Sequence, residues 1–251
     1  VAKPLLEKYQ LPATFFISSG NIGQQKEFWW DELEQLILFS ETLPQTISLQ
    51  IGDTWITQDL GEERKLTEYA RQQHRSWQAY VQEPPTLRSA LFLKIWQQLK
   101  PLSHQAQQEY LDKLKNWSEI SSTARIHYHS MTLEQLEELG QSSLFHLGAH
   151  TESHLDLGSH EVSAQIQEIQ KNRAFLERIA DNTVSLLAYP FGSYTTDTVR
   201  IANEANFKAA VTTNGRPVKS TTDRLQIGRF LVEDWDGKTL NNYMEGWIKY
   251  Q

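Results

Sequence analysis

The chain has 251 residues, enough for one large α/β domain or two smaller ones around a substantial core. Its formal charge of −7 argues against a surface built for nucleic acid, and no apolar run is long enough to cross a bilayer. Without cysteine it has no disulfide, no thiolate nucleophile and no Cys-ligated zinc, so His, Asp and Glu are the only strong metal ligands.

The opening "VAKPLLEKYQ" has apolar residues at helical spacing, like the middle of a helix, and the chain begins at Val1. It reads as an excerpt, with any signal peptide, anchor or earlier strand upstream, so compartment stays unassigned. "ATFFISSG" (Ala13 to Gly20) is a β-branched and aromatic run closing on small residues, a core strand that stops at a loop. Phe28 to Phe39 changes period: Trp30, Leu33, Ile37 and Leu38 share a face and acids crowd the first turn, which predicts a helix. Trp29 and Trp30 at its start suit core anchors better than sugar-stacking groups. Thr46 to Leu60 alternates around Gly52-Asp53 and predicts a hairpin. From Glu62 to about Ile120 the pattern is mostly helical, broken at Pro84-Pro85 and Pro101.

A regular rhythm follows. "MTLEQLEELGQS" is a helix with Thr132 at its N-cap and Gln135 three residues on; "SLFHLGAH" is a strand; "HEVSAQIQEIQKNRAFLERIA" is a long helix. "VSLLAYPFG", "TTDTVRIANEANF" and "KAAVTTNG" continue as strand, helix, strand. This alternation builds a parallel sheet or barrel, with functional residues expected where strands end. His150 and Tyr189-Pro190 both stand at such ends.

His150 and His154, four apart in "LGAHTESHLDLG", can turn both rings toward one point, the reason this spacing recurs in metal sites. Thr151 follows the first His where zinc proteases carry their glutamate base, so a protease is a poor reading. On spacing alone, two surface histidines beside a helix cap remain the commoner explanation. "AYPFGSY" makes a stiff turn able to hold out a backbone N–H, as an oxyanion hole requires, or simply joins strand to helix. His127 and His129 would share one face of a strand as a second metal pair, although solvated loop histidines are commoner there. His146 more simply packs or faces solvent.

"ATFFI", "GAHTESHLDL", "AYPFGSY" and "FKAAVTTNG", in that order, resemble the polysaccharide deacetylase family of carbohydrate esterases. The resemblance covers 1–22 and 131–215 well, leaves 24–130 as an insertion within a single domain spanning 1–251, and is loose from Arg216 onward. It implies an α/β fold, a distorted barrel of parallel strands with a divalent metal at the strand C-terminal ends, and hydrolysis of N-acetyl groups on the amino sugars of a polysaccharide or oligosaccharide. It further implies that His150 and His154 are metal ligands and that Thr151 steadies their loop. Tyr189 would give its backbone N–H to the oxyanion, and Pro190 and Phe191 would shape the groove. Zinc suits imidazole and carboxylate, and other first-row divalent ions would also be accepted.

The sequence departs from that pattern in places. The family's Thr-Phe-Asp-Asp-Gly string, source of the catalytic base and third ligand, is absent. The simplest expectation is that the chain begins just after it and is inactive or severely impaired; a natural carbohydrate-binding pseudoenzyme is the alternative, and an amidase for small non-sugar amides the enzymatic rival. No His follows Gly215 to serve as general acid. "VEDWD" is similar to the family's Asp-Trp motif and nominates Asp234 and Trp235 for the substrate site, with the protein rim as the alternative. Arg229 would face the barrel mouth or make a surface salt bridge. Oligomeric state is not readable.

Overall fold

The computed structural model describes residues 2–79, 81–120, 124–179 and 184–249. In chain order its first elements are α1 (Ala2–Lys8), β1 (Ala13–Ile17), α2 (Trp29–Leu38), β2 (Thr46–Ile51), β3 (Thr54–Asp59), α3 (Glu68–Ser76), α4 (Leu87–Leu99) and α5 (His104–Ser118). Next come α6 (Leu133–Gly140), β4 (Phe145–Ala149), α7 (Val162–Glu177), β5 (Leu186–Ala188), α8 (Thr196–Glu204), β6 (Ala209–Val211) and α9 (Gly237–Lys249). Two compact units divide the chain: Val1–Ile22 with Met131–Gln251, and Gly23–Ser130.

The first unit is built on a four-stranded sheet in the order β1-β4-β5-β6, every pair parallel. Its strands are short and apolar because helices must cover a parallel sheet. Leu147, Leu187, Ile169 and Leu176 are buried in one core with Phe207 and Leu225, each worth about 1.5–3 kcal/mol when fully removed from water. Helix starts follow the capping chemistry in the sequence. Thr132 accepts the Gln135 N–H while the Gln135 side chain accepts the Thr132 N–H, and Thr195 and Thr198 repeat the reciprocal box. The sheet is mixed into an α/β unit as expected, but the described strands form an open arc and do not close a barrel. Beyond β6 the described residues form one parallel bridge, Val211 to Ile227, followed by the Thr212 N–H on the Ile227 carbonyl and the Arg229 N–H on the Asn214 carbonyl. At Gly228 the backbone passes close to that of 214–216: a Cβ there would sit 2.4 Å from Arg216 Cγ and 2.7 Å from the Asn214 carbonyl oxygen.

The second unit packs α2, α4 and α5 around Leu33, Leu36, Ile37, Leu91, Ile95, Leu99, Leu111 and Leu114, all buried. The expected hairpin is β2 and β3, antiparallel, with Gly52 at φ 57° in its turn. Trp29 is buried, as an anchor should be, and Trp30 stacks on Phe28 at 4.5 Å. Arg88 is fully buried; its guanidinium donates to the carbonyls of Ile37, Ser40, Glu63 and Arg64. His74, also buried, uses Nδ1 on the Leu38 carbonyl at 2.9 Å and Nε2 on Thr86 Oγ1 at 2.8 Å. His127 lies in a 3-10 turn with Tyr128, and His129 follows it with Nε2 on the Ala124 carbonyl, so the alternate-residue geometry of a second metal pair does not arise.

Candidate metal centre at the strand ends

β1, β4, β5 and β6 are parallel, so the segments after Ile17, Ala149, Ala188 and Val211 leave the same edge of the sheet. His150 is the first residue past β4. Its Nδ1 lies 2.7 Å from the Ala188 carbonyl at the end of β5, which makes Nδ1 the protonated nitrogen and leaves the Nε2 lone pair for a cation. The His150 and His154 ring centroids are 4.7 Å apart at 84°, and the edge of Phe191 meets His154 at 4.5 Å. The imidazole loop and the tyrosine-proline turn are therefore neighbours.

The loop is held mainly through its backbone. Thr151 and His154 both take left-handed conformations, φ 63° and 59°, which fold the chain back on itself within four residues. Ser18 Oγ donates to the His150 carbonyl, the Ser19 N–H to that of Thr151 and the Gly20 N–H to that of Glu152. From α7, Glu168 accepts the Ser153 N–H at 2.8 Å and its hydroxyl at 2.6 Å. Asn172 was invisible in the sequence argument and is the central brace. Fully buried, it accepts the His150 N–H and donates to the Ile17 carbonyl and Ser19 Oγ, joining the ends of β1 and β4. A signal existed: Gln165, Ile169, Asn172 and Leu176 form the buried stripe of α7, and a polar residue on such a stripe needs partners.

Desolvation pushes His150 down to about 4, helped by the positive charge of Arg229, and His154 down to about 3, helped by His150. Both rings are thus neutral donors near pH 7. Arg229 reaches this corner with Nε on the Thr212 carbonyl at 3.0 Å and its guanidinium 5.7 Å from the Phe16 ring centre; no salt bridge forms among the described residues. As ligands the pair suits zinc or another first-row divalent ion. It supplies only part of a set, because no group of three or more His, Cys, Asp or Glu gathers among the described residues.

One expectation needs correction. Tyr189 does not hold out its amide: the N–H donates to the Val211 carbonyl at 3.1 Å, because Tyr189 still follows the β5–β6 register. Its ring is fully buried, its hydroxyl donates to the Leu225 carbonyl at 2.9 Å, and burial pushes the phenol well up. Thr151 steadies the loop through its carbonyl, whereas its buried Oγ1 has no hydrogen-bond partner among the described residues. Trp235 stacks on Tyr243 of α9 at 4.1 Å and leans on Trp247. Pro190 and Phe191 do stand at the histidine pair, Pro190 buried and Phe191 at φ 57°. Gly192 lets that turn close: it sits at φ 66°, and a Cβ there would lie 2.0 Å from Thr213 Oγ1. His146 faces outward from β4, exposed.

The polysaccharide deacetylase family model matches residues 108–210. YxkH of Bacillus subtilis (strain 168), whose name places it among the polysaccharide deacetylases, is 26% identical over 87 residues, 35% of this chain and 31% of its own. Among solved structures, the Streptococcus pyogenes deacetylase PplD in complex with acetate is 26% identical, with TM-score 0.43 over 46% of this chain and 51% of that one. The BpsB deacetylase domain from Bordetella bronchiseptica is 19% identical, with TM-score 0.39 over 45% of this chain and 52% of that one. The chain thus spans a third to a half of the relatives it matches.

Proposed function

We propose that this chain, similar to polysaccharide deacetylases over residues 108–210, is a member of that family of carbon–nitrogen amide hydrolases, and that its site serves metal-dependent removal of N-acetyl groups from the amino sugars of a glycan. One observation carries the reading: two neutral imidazoles 4.7 Å apart, the first locked by the Ala188 carbonyl, stand beside the Pro190-Phe191 turn at the C-terminal ends of parallel strands. A divalent ion bound there, zinc in the first instance, would polarise the amide carbonyl as a Lewis acid.

The chain's own residues contribute positioning. Ala188 fixes the tautomer of His150, Asn172 fixes its backbone, and Phe191 buttresses His154. Arg229 adds positive charge next to the pair, suited to steadying an anionic oxygen in place of the Tyr189 amide, which is engaged with the Val211 carbonyl. In this reading 1–251 is one deacetylase-like domain, elaborated by the separately packed 23–130 unit.

A second reading is favoured by a specific observation. With no third ligand among the described residues, the chain would hold metal weakly and bind glycan without turning it over. Acetate release from N-acetylglucosamine oligomers, measured with and without added zinc, separates the two. Zinc-dependent release lost in His150→Ala supports hydrolysis; glycan binding with no release supports the non-catalytic protein. Release unaffected by chelation or by His150→Ala contradicts the metal reading.

A further inference from the structure

A cleft of about 870 Å³ opens in the first unit between the loop that follows β6 and the C-terminal helix α9. Its lining divides by chemistry. Phe230 and Trp247, stacked at 4.5 Å and 11°, supply an aromatic wall; Arg216 and Lys219 supply positive charge. Asp223 is the one acid among the described lining residues, and its carboxylate is engaged, accepting the Leu225 N–H at 2.9 Å and Gln226 Nε2 at 2.8 Å. Two cations against one occupied carboxylate leave a local positive excess on a chain whose net charge is −7.

The charge is also preorganised. Arg216 Nη2 donates to the Gln226 carbonyl at 2.7 Å, which orients the guanidinium without neutralising it. Both the Arg216 N–H and the Arg229 N–H donate to the Asn214 carbonyl at 2.9 Å, and Gly228, lacking a Cβ, lets the two segments lie close. The short segment Gln226–Phe230 serves two places at once. Arg229 turns to Phe16 and the electrostatic field of His150, while Phe230, next in sequence, turns to Trp247 and the cleft.

We propose that this cleft binds a sugar ring carrying one negative charge, a carboxylate or a phosphate ester, with the apolar face of the ring on the Phe230–Trp247 wall and the anion on Arg216 and Lys219. A single net positive charge fits one anionic group better than the polyphosphate backbone of a nucleic acid. The proposal rests on the glycan reading above for the class of ligand, and it extends that reading by predicting that the polymer contains acidic residues.

The test is calorimetric titration of the full chain. Its probes are a hexasaccharide alternating glucuronic acid with N-acetylglucosamine, the neutral N-acetylglucosamine hexamer, inorganic phosphate and adenosine monophosphate. The acidic hexasaccharide should bind about tenfold tighter than the neutral one at low salt, a gap that closes at high salt. Arg216→Gln with Lys219→Gln should level the two, and Trp247→Ala should weaken both, each variant checked for native near-ultraviolet circular dichroism. Competition by inorganic phosphate would assign the charge to a phosphate ester, and its failure to compete a carboxylate. Equal binding of the acidic and neutral oligomers, indifference to the double variant, or preference for adenosine monophosphate would overturn the proposal. His150→Ala keeps the two readings distinct: it should leave the acidic preference intact while removing any zinc-dependent acetate release.

Discussion

His74 in the second unit and His150 in the first are both largely withdrawn from water, and burial lowers the pKa of each, yet they differ in what their second nitrogen does. His74 has partners on both ring nitrogens, the Leu38 carbonyl and the Thr86 hydroxyl. His150 has one, the Ala188 carbonyl, and its other nitrogen has no hydrogen bond among the described residues. The first arrangement is what a buried polar group needs in order to be stable. The second leaves a neutral, oriented lone pair beside another imidazole, an arrangement that gains its missing interaction only from something bound. Arg88 belongs with His74, since its buried guanidinium is met by four carbonyls.

If the satisfied groups are scaffold and His150, with one ring nitrogen engaged, belongs to the site, mutation should divide stability from binding. The largest effect falls on Arg88→Met, which removes a buried guanidinium's hydrogen bonds to four carbonyls and should cost roughly 3–5 kcal/mol in denaturant unfolding while leaving zinc affinity unchanged. His150→Ala should reverse the pattern, with zinc affinity falling about 100-fold by calorimetry and stability by only about 1 kcal/mol. Gly192→Ala lies between them. Its new methyl collides with Thr213 at a left-handed position, so it should cost about 1–3 kcal/mol and also disturb the Pro190-Phe191 turn. Stability loss with the histidine NMR signals unmoved would show that turn and pair to be uncoupled.

The smaller predictions sharpen the division. Tyr189→Phe removes the hydroxyl bond to Leu225 but keeps the amide on Val211, so a loss of about 1 kcal/mol with zinc affinity intact is expected. A large loss of acetate release in that variant would return Tyr189 to the site. The last is a predicted absence of effect. Because folding lowers His150 to about 4 and His154 to about 3, protons begin to compete with a cation only as pH falls toward those values. Zinc affinity should therefore stay nearly level from about pH 7.5 to 6, where imidazoles of ordinary pKa would already lose it. A steep fall centred near pH 6.5 would mean the pair is not desolvated in solution.

Much of this division was legible in the sequence. Alternating strands and helices placed His150 and Pro190-Phe191 at strand ends, and a parallel sheet brings such ends together whatever the details between. The Tyr189 amide turned on a neighbour distant in sequence. The amide of Tyr189 is spent because Val211 lies opposite it, which no local pattern reveals. Trp235 packs against the rings of Tyr243 and Trp247 in α9, a contact its motif-like string does not show. Nothing in the sequence of α4 distinguishes a buried Arg88 from a surface arginine. The aromatic and cationic cleft was likewise hidden, its lining residues spread from Gly215 to Trp247.

The most direct test of the central claim is a zinc titration of the full chain followed by histidine side-chain NMR. The account predicts that the ring signals of His150 and His154 shift together and saturate at one ion per chain, while those of His74 do not move. Movement of His127 or His129 with the His150–His154 pair silent would contradict it.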